Sequence, residues 1–227
     1  MSINEKMTAI ADAIRTKTGG NEPLTLDQMA QEIAGIQTGA GEDDVLVQLL
    51  NRTITRFESD KITELGGRSF CSCKALISLS LPNCVTTDEG SLQDCTSLET
   101  VHLPNLSNLG IRCFMNCTKI EELVFPKVSS ASTYVFYGCS ALKKCDLHAV
   151  KYIGNISFQN CKSLKALIIR TNSLCTLAGS AVFTGSGIES GTGCIYVPSA
   201  LLEEYQSATN WSVYADQFQA IEGSEYE

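Results

Sequence analysis

The stretch Ile153-Gly-Asn-Ile-Ser-Phe158-Gln-Asn-Cys161-Lys-Ser-Leu164-Lys-Ala-Leu167-Ile-Ile169 decides the fold, because the same apolar pattern already stands in the block before it. The earlier copy reads Ala131-Ser-Thr-Tyr-Val-Phe136-Tyr-Gly-Cys139-Ser-Ala-Leu142-Lys-Lys-Cys145-Asp-Leu147. Working outward, five 22-residue blocks align without a gap from Ile62 to Thr171. One column is Cys73, Cys95, Cys117, Cys139 and Cys161, and three positions before it stand Phe70, Leu92, Phe114, Phe136 and Phe158. After it come Leu76, Leu98, Ile120, Leu142 and Leu164, then Leu79, Val101, Leu123, Cys145 and Leu167, then Leu81, Leu103, Phe125, Leu147 and Ile169. All 25 positions are apolar in a chain that is 44% hydrophobic. The chance of that is about one in 10⁹, and a period in this range is the signature of a stacked-repeat solenoid.

Within each block the apolar spacing shortens from three to two, as in Leu76-x-x-Leu79-x-Leu81. Alternation of period two marks a short strand with one buried face. Pro82, Pro104 and Pro126 follow the first three such strands; proline has no N–H to continue a ladder, so it ends them. The three-residue spacings around Phe and Cys fit an irregular coil on the other side. The expected fold is therefore a leucine-rich-repeat solenoid with one short parallel strand per 22-residue rung.

The array has recognisable ends. Ile54 and Phe57 stand one block before Leu76 and Leu79, so residues 53–57 read as a partial first rung. Downstream, Phe183-x-x-Ser186 and Ile195-Tyr-Val197-Pro198 read as a degenerate rung around a Gly-rich loop, Gly185 to Gly193. Ser199-Ala-Leu-Leu-Glu-Glu-Tyr205 then reads as a helix N-capped by Ser199, with Glu203 and Glu204 at its positive end, forming an acidic lid on the last sheet edge. The division expected is a helical hairpin over 1–40, a linker and partial rung over 41–61, repeats over 62–198, and a helical cap over 199–227.

The pattern Ile153-x₄-Phe158-x-Asn160-Cys161-x-Ser163-Leu164, with the ending Ile195-Tyr-Val-Pro-Ser-Ala-Leu-Leu-Glu-Glu-Tyr205 through Trp211-Ser-Val-Tyr214, resembles the BspA-type leucine-rich repeats of bacterial surface and phage proteins. That likeness spans roughly residues 45–221 and implies fold; its members serve many binding roles, so it implies no single activity.

Residues 1–38 lie outside the repeat. Ile3, Met7, Ile10 and Ile14 recur at helical spacing, and Lys17-Thr-Gly19-Gly20 supplies a stop. Thr25 and Gln28 form a capping box and Leu24 and Met29 a hydrophobic staple for a second helix continued by Ile33 and Ile36. Two short helices bury little, so the hairpin needs the solenoid, another protein or copies of itself, which makes it a candidate for homo-oligomerisation. The string Met7 to Gly19, followed by Leu24-Thr-Leu-Asp-Gln-Met-Ala30, resembles a segment of tail proteins from phages and prophages of Gram-positive bacteria. That resemblance implies a virion component made in the host cytoplasm, with residues 1–40 as the tail attachment.

The 227-residue chain carries a formal charge of −8, and residues 201–227 hold six acids and no Lys or Arg. Nucleic acid needs concentrated basic side chains, so it is not an expected partner. The N-terminus lacks the basic and apolar regions of a signal peptide, and no apolar run approaches the ~20 residues of a membrane span.

Eleven cysteines invite a zinc or disulfide reading. Cys71-x-Cys73 and Cys113-x₃-Cys117 have no second pair at finger spacing, and His102 and His148 are the only histidines. Column cysteines stack with parallel side chains, which is the wrong geometry for a bridge, so reduced, core-forming thiols are expected and no metal or cofactor. Ser140-Ala-Leu-Lys143 matches a Ser-x-x-Lys nucleophile pattern, but the repeat itself generates it. No enzymatic activity is expected.

The outward strand positions remain. Glu121 should stack on Lys143 and Glu122 on Lys144 as exposed ion pairs. A partner surface is expected over Ser78, Ser80, Thr100, His102, Glu122, Val124, Lys144, Asp146 and Ile168. A shallow sheet face suits a protein (a tail component or host surface protein) or a host glycan better than a small metabolite. The alternative setting is a bacterial cell-surface adhesion or interaction module.

Overall fold

The computed structural model describes Gln48 and residues 51–227; the helical hairpin expected over 1–40 lies outside the described residues. The chain divides into two units, Met1–Ile54 and Thr55–Glu227. The second unit is a pile of rungs whose strands are all parallel.

Each of the first six rungs contributes two strands rather than the single one that alternation predicts, and the last two contribute one each. The first row consists of β1 (Arg56–Glu58), β3 (Ser78–Ser80), β5 (Thr100–His102), β7 (Glu122–Phe125), β9 (Lys144–Leu147), β11 (Ala166–Ile169), β13 (Cys194–Val197) and β14 (Phe218–Ala220). The second row holds two-residue strands: β2 (Glu64–Leu65), β4 (Thr86–Thr87), β6 (Asn108–Leu109), β8 (Ser130–Ala131), β10 (Tyr152–Ile153) and β12 (Thr176–Leu177). The second row is one continuous six-stranded sheet, whereas the first is split into β1-β3-β5 and β7-β9-β11-β13-β14. Two residues are too few to show an alternation, which is why the second row is invisible to a periodicity reading.

The register advances by one block between neighbours (Arg56↔Ser78, Lys144↔Ala166) and by a longer step between β11 and β13 (Ala166↔Cys194). The Gly-rich insertion absorbs the difference. Gly187 and Gly193 lie so close to the Leu164 carbonyl that a Cβ on either would stand 2.2 Å from it.

Between the rows the chain turns through left-handed residues. The position before the column cysteine has positive φ in every rung: Ser72, Asp94, Asn116, Gly138, Asn160 and, in the degenerate rung, Gly185. Gly and Asn tolerate that conformation because the former has no Cβ and the latter bonds locally. Asn116 adds a rung-to-rung bond, donating from Nδ2 to Oδ1 of Asp94 at 2.8 Å.

The interior is a stack of rings. Phe114 lies 5.9 Å from Phe136, Phe136 5.0 Å from Phe158, and Phe158 5.5 Å from Phe183. Phe183 meets Tyr214 edge-on at 5.1 Å and Trp211 at 6.1 Å, so the C-terminal segment closes the stack. Beside the rings runs a ladder of thiols. Sγ of Cys95, Cys117, Cys139 and Cys161 donates to the carbonyls of Phe70, Leu92, Phe114 and Phe136 at 3.0–3.2 Å. A thiol is small and apolar enough for the core yet brings a weak donor to a buried carbonyl, which Leu or Ala would not. None of the eleven cysteines is joined in a disulfide, and nine of them are buried. Burial pushes the Cys139 thiol up to about 12 and that of Cys113 to about 11.

The C-terminal closure differs from the helical lid expected over 199–227. A short 3₁₀ turn (Ser199–Leu201) leads into α1 (Leu202–Ser207), a second 3₁₀ segment follows (Ser212–Gln217), and β14 then adds one more parallel strand to β13. Ser199 does not N-cap: no side-chain cap bond is made, and its N–H donates to Glu222 Oε2 at 2.8 Å. Trp211 Nε1 donates to the Cys175 carbonyl at 2.7 Å, and the Cys175 N–H donates to Tyr205 Oη at 2.9 Å. These bonds satisfy backbone groups of the last rung that no following rung is there to meet.

Three outcomes follow from this packing. Phe114→Ala should cost about 3–5 kcal/mol through the cavity it opens, read as a lowered chemical-denaturation midpoint. Gly154→Ala should cost about 1–3 kcal/mol, because its Cβ would fall 2.5 Å from the Ser132 backbone, whereas Gly66→Ala in the same column meets nothing closer than 3.6 Å and should be tolerated. In the native protein at pH 8, an alkylating reagent counted by mass spectrometry should modify only the half-exposed Cys71 and Cys194, the other nine reacting once the chain is denatured.

Candidate functional site: the outward face of the first strand row

Alternation along β1, β3 and β7 buries Phe57, Leu79, Leu123 and Phe125 and turns their neighbours outward. The outward side chains line up by the parallel register: Ser78 beside Thr100, Ser80 beside His102, Glu122 beside Lys144, Val124 beside Asp146. Thr100, His102, Glu122 and Val124 are exposed, Val124 at 50%, while Ser78, Ser80 and Lys144 are half-buried. The expected ion pairs are present, Lys143 to Glu121 at 2.7 Å and Lys144 to Glu122 at 2.6 Å. Exposed pairs of this kind contribute about 0–1 kcal/mol each, so they order the face more than they stabilise it.

Asp146 and Ile168 are not on the open face. Ile168 is fully buried and Asp146 only 7% exposed, because the chain's own C-terminus folds over β9 and β11. Ile168 and Ala166 cluster with Ile221, and Tyr196 and Tyr226 pack against them with ring centroids 4.6 Å apart. Arg170 fastens this cover: Nε donates to Asp146 Oδ1 at 3.0 Å, Nη2 to Oδ2 at 3.1 Å, and Nη2 also to the Tyr226 carbonyl at 2.8 Å. His148 Nε2 stands 3.3 Å from the same carboxylate. Burial pushes the Tyr226 phenol up to about 12.

Sequence reasoning missed Arg170, Ile221 and Tyr226, although one signal was there. Ala166-Leu-Ile-Ile169 is apolar at four consecutive positions where other rungs alternate, and an unbroken apolar run marks a strand covered on both faces.

The split in the first row is the other feature. β5 and β7 are not paired, and a notch of about 670 Å³ opens beside them, lined by Glu99, Thr100, Val101, Lys119, Glu121 and Glu122. Two departures from the repeat meet at this junction. Glu99 and Glu121 would stack like charge on like charge, which disfavours pairing. Phe125 also puts a ring into a column that holds Leu103 below it and Leu147 above, and that ring lies 6.0 Å from Phe114. Val101, which the repeat would bury, is half-exposed as a result.

Among the described residues, no three His, Cys, Asp or Glu side chains converge as metal ligands, and no helix is long and apolar enough to cross a membrane. No curated protein matches the chain. Among solved structures it is similar to the pneumococcal vaccine antigen PcpA at 19% identity and TM-score 0.53, over 74% of this chain and 40% of that one. It is also similar to a T. pallidum leucine-rich repeat protein at 23% identity and TM-score 0.49, over 50% of this chain and 58% of that one. A third match is a leucine-rich repeat protein from Eubacterium ventriosum, at 20% identity and TM-score 0.43, over 60% and 44% respectively. The chain thus spans about half the length of these relatives. The model of the BspA type leucine rich repeat region (6 copies) matches residues 50–143 and 86–198, the same rungs that carry the rings, the thiol ladder and the outward face, and the chain belongs to that family.

Proposed function

We propose that this chain is a non-enzymatic interaction module of a phage or prophage tail, held there by residues 1–40 and presenting the first-row face to the host surface or to other tail proteins. The observation that carries the interaction reading is the face itself. Ser78, Ser80, Thr100 and His102 on one side of the β5–β7 split, and Glu122, Val124 and Lys144 on the other, line the outward face with mostly polar and charged side chains. Stacked rungs that leave such a face open are how solenoid proteins bind macromolecules. The Glu121–Lys143 and Glu122–Lys144 pairs suit it to a protein partner, which can exchange these weak intramolecular contacts for its own. The tail setting rests on the likeness of residues 7–19 and 24–30 to tail-protein segments.

The experiment is a comparison of full-length chain with a chain lacking residues 1–40 in particles assembled by the producing host. Mass spectrometry and cryo-electron microscopy of purified particles should find the full-length chain and not the shortened one, with circular dichroism showing the shortened chain folded. Absence of the full-length chain from purified particles overturns the tail assignment.

A further inference from the structure

The first row contains eight strands, and in the column just before them the charges change sign at the middle. The residues just before each strand read Ile77, Glu99 and Glu121 on one half and Lys143 and Lys165 on the other. The charged residues among the first outward positions are Arg56 on β1, Glu122 on β7 and Lys144 on β9. Counting outward from the midpoint between β7 and β9, every carboxylate of these two columns meets a lysine at the mirrored position: Glu121 with Lys143, Glu122 with Lys144, Glu99 with Lys165. Within the chain, the inner two pairs are closed. Glu99 and Lys165, both exposed and two rungs further apart, enter none of the ion pairs of the described residues.

We propose that the first-row face docks against the same face of a second copy, about a two-fold axis parallel to the strands and lying between β7 and β9. This rests on the reading of that face as a protein-interaction surface and names its partner. Such an axis reverses the order of the rungs and keeps the strand direction, so it lays each column against itself, back to front. Glu99 of one copy then faces Lys165 of the other, twice over, as an isologous interface requires. The notch beside β5 gives the incoming ammonium of Lys165 a place to enter, with Glu99, Glu121 and Glu122 around it.

Shape agrees with charge. The half thickened by Ile221, Tyr226 and Tyr196 lies opposite the half carrying the short side chains Ser78, Ser80 and Thr100, and Val124, exposed at 50%, sits beside the axis. No outward position of the two columns is brought against a like charge. The strip is eight strands long, about 34 Å at ~4.8 Å per strand, which is small for a stable dimer. The association is therefore weak and dominated by charge.

The test is sedimentation velocity of the full chain over a concentration series at low and high salt, with Glu99→Lys and Lys165→Glu chains run alone and mixed. Both side chains are exposed, so neither substitution disturbs the core. The wild type should dimerise at low salt and dissociate as salt rises. Each variant alone should show a dimer dissociation constant raised about tenfold or more, since the axis makes every reversed charge meet a like one. An equimolar mixture of the two variants should dimerise again, because each reversed residue then faces its complement. A wild type monomeric at every concentration, or a dimer indifferent to both substitutions, overturns the proposal. If the wild type is monomeric and yet the same substitutions abolish incorporation into particles or binding to host cells, the face is a docking surface for another protein, and only the self-docking is wrong.

Discussion

Each rung of this protein turns inward at a large apolar side chain, a phenylalanine in every regular rung but that of Leu92, whose backbone carbonyl is buried with it. That carbonyl is a polar group in the driest part of the core, and in four consecutive rungs a cysteine thiol from the rung above meets it. The rest of the structure depends on this arrangement. A larger side chain in the cysteine column would push the rungs apart, and a purely apolar one would leave the carbonyl with one partner fewer. The ring stack and the thiol ladder run side by side and share the same residues. The 22-residue spacing of Cys and Phe is thus the trace of one packing requirement repeated along the axis. Burial also raises the pKa of these thiols, which disfavours the thiolate that a nucleophile needs.

How much of this could be read from the chain follows from which interactions repeat. The columns, the register, the partial rung at β1 and the insertion before β13 were all legible, because each is a spacing between apolar residues. The second row was not, since its strands are two residues long and Leu65, Thr87, Leu109, Ala131, Ile153 and Leu177 share little beyond burial. The outward face was legible as far as Lys144 and failed at Asp146 and Ile168. There the deciding contacts come from Ile221 and Tyr226, more than fifty residues downstream of Ile168. Alternation tells which side of the sheet a residue faces; it says nothing about what else lies on that side.

The split between β5 and β7 shows what happens where the repeat is least consistent with itself. Elsewhere a rung supplies its neighbour with an uninterrupted strand edge, a matching apolar column and charges of opposite sign or none. At this junction the stack of Glu99 on Glu121 and the ring of Phe125 in a leucine column both act against close approach. The second row nevertheless stays paired across these rungs, through Asn108 with Ser130 and Leu109 with Ala131. The solenoid therefore opens on its outward face while remaining joined behind, which places a recess on the side that is free to meet a partner.

The two halves of the outward face are finished differently, and the reason lies in their composition. Toward β1 the outward residues are charged (Arg56, Glu58) or polar (Ser78, Ser80, Thr100, His102), and they need no cover. Toward β13 the row carries Ala166, Ile168 and Tyr196, an apolar patch that water would leave exposed at a cost of roughly 25 cal/mol per Å². The C-terminal segment covers that patch with Ile221 and Tyr226 and is anchored through Arg170, whose guanidinium bridges the Asp146 carboxylate and the Tyr226 carbonyl. An arginine is suited to this place because its planar fork bonds both carboxylate oxygens and still reaches a third acceptor. Covering the apolar half while leaving the charged half open makes the remaining surface polar, shallow and directional, with its carboxylates gathered beside the split and its lysines beside the cover. A partner recognising that surface must read an order of charges along the solenoid axis, and only a surface carrying the opposite order can lie flat against it.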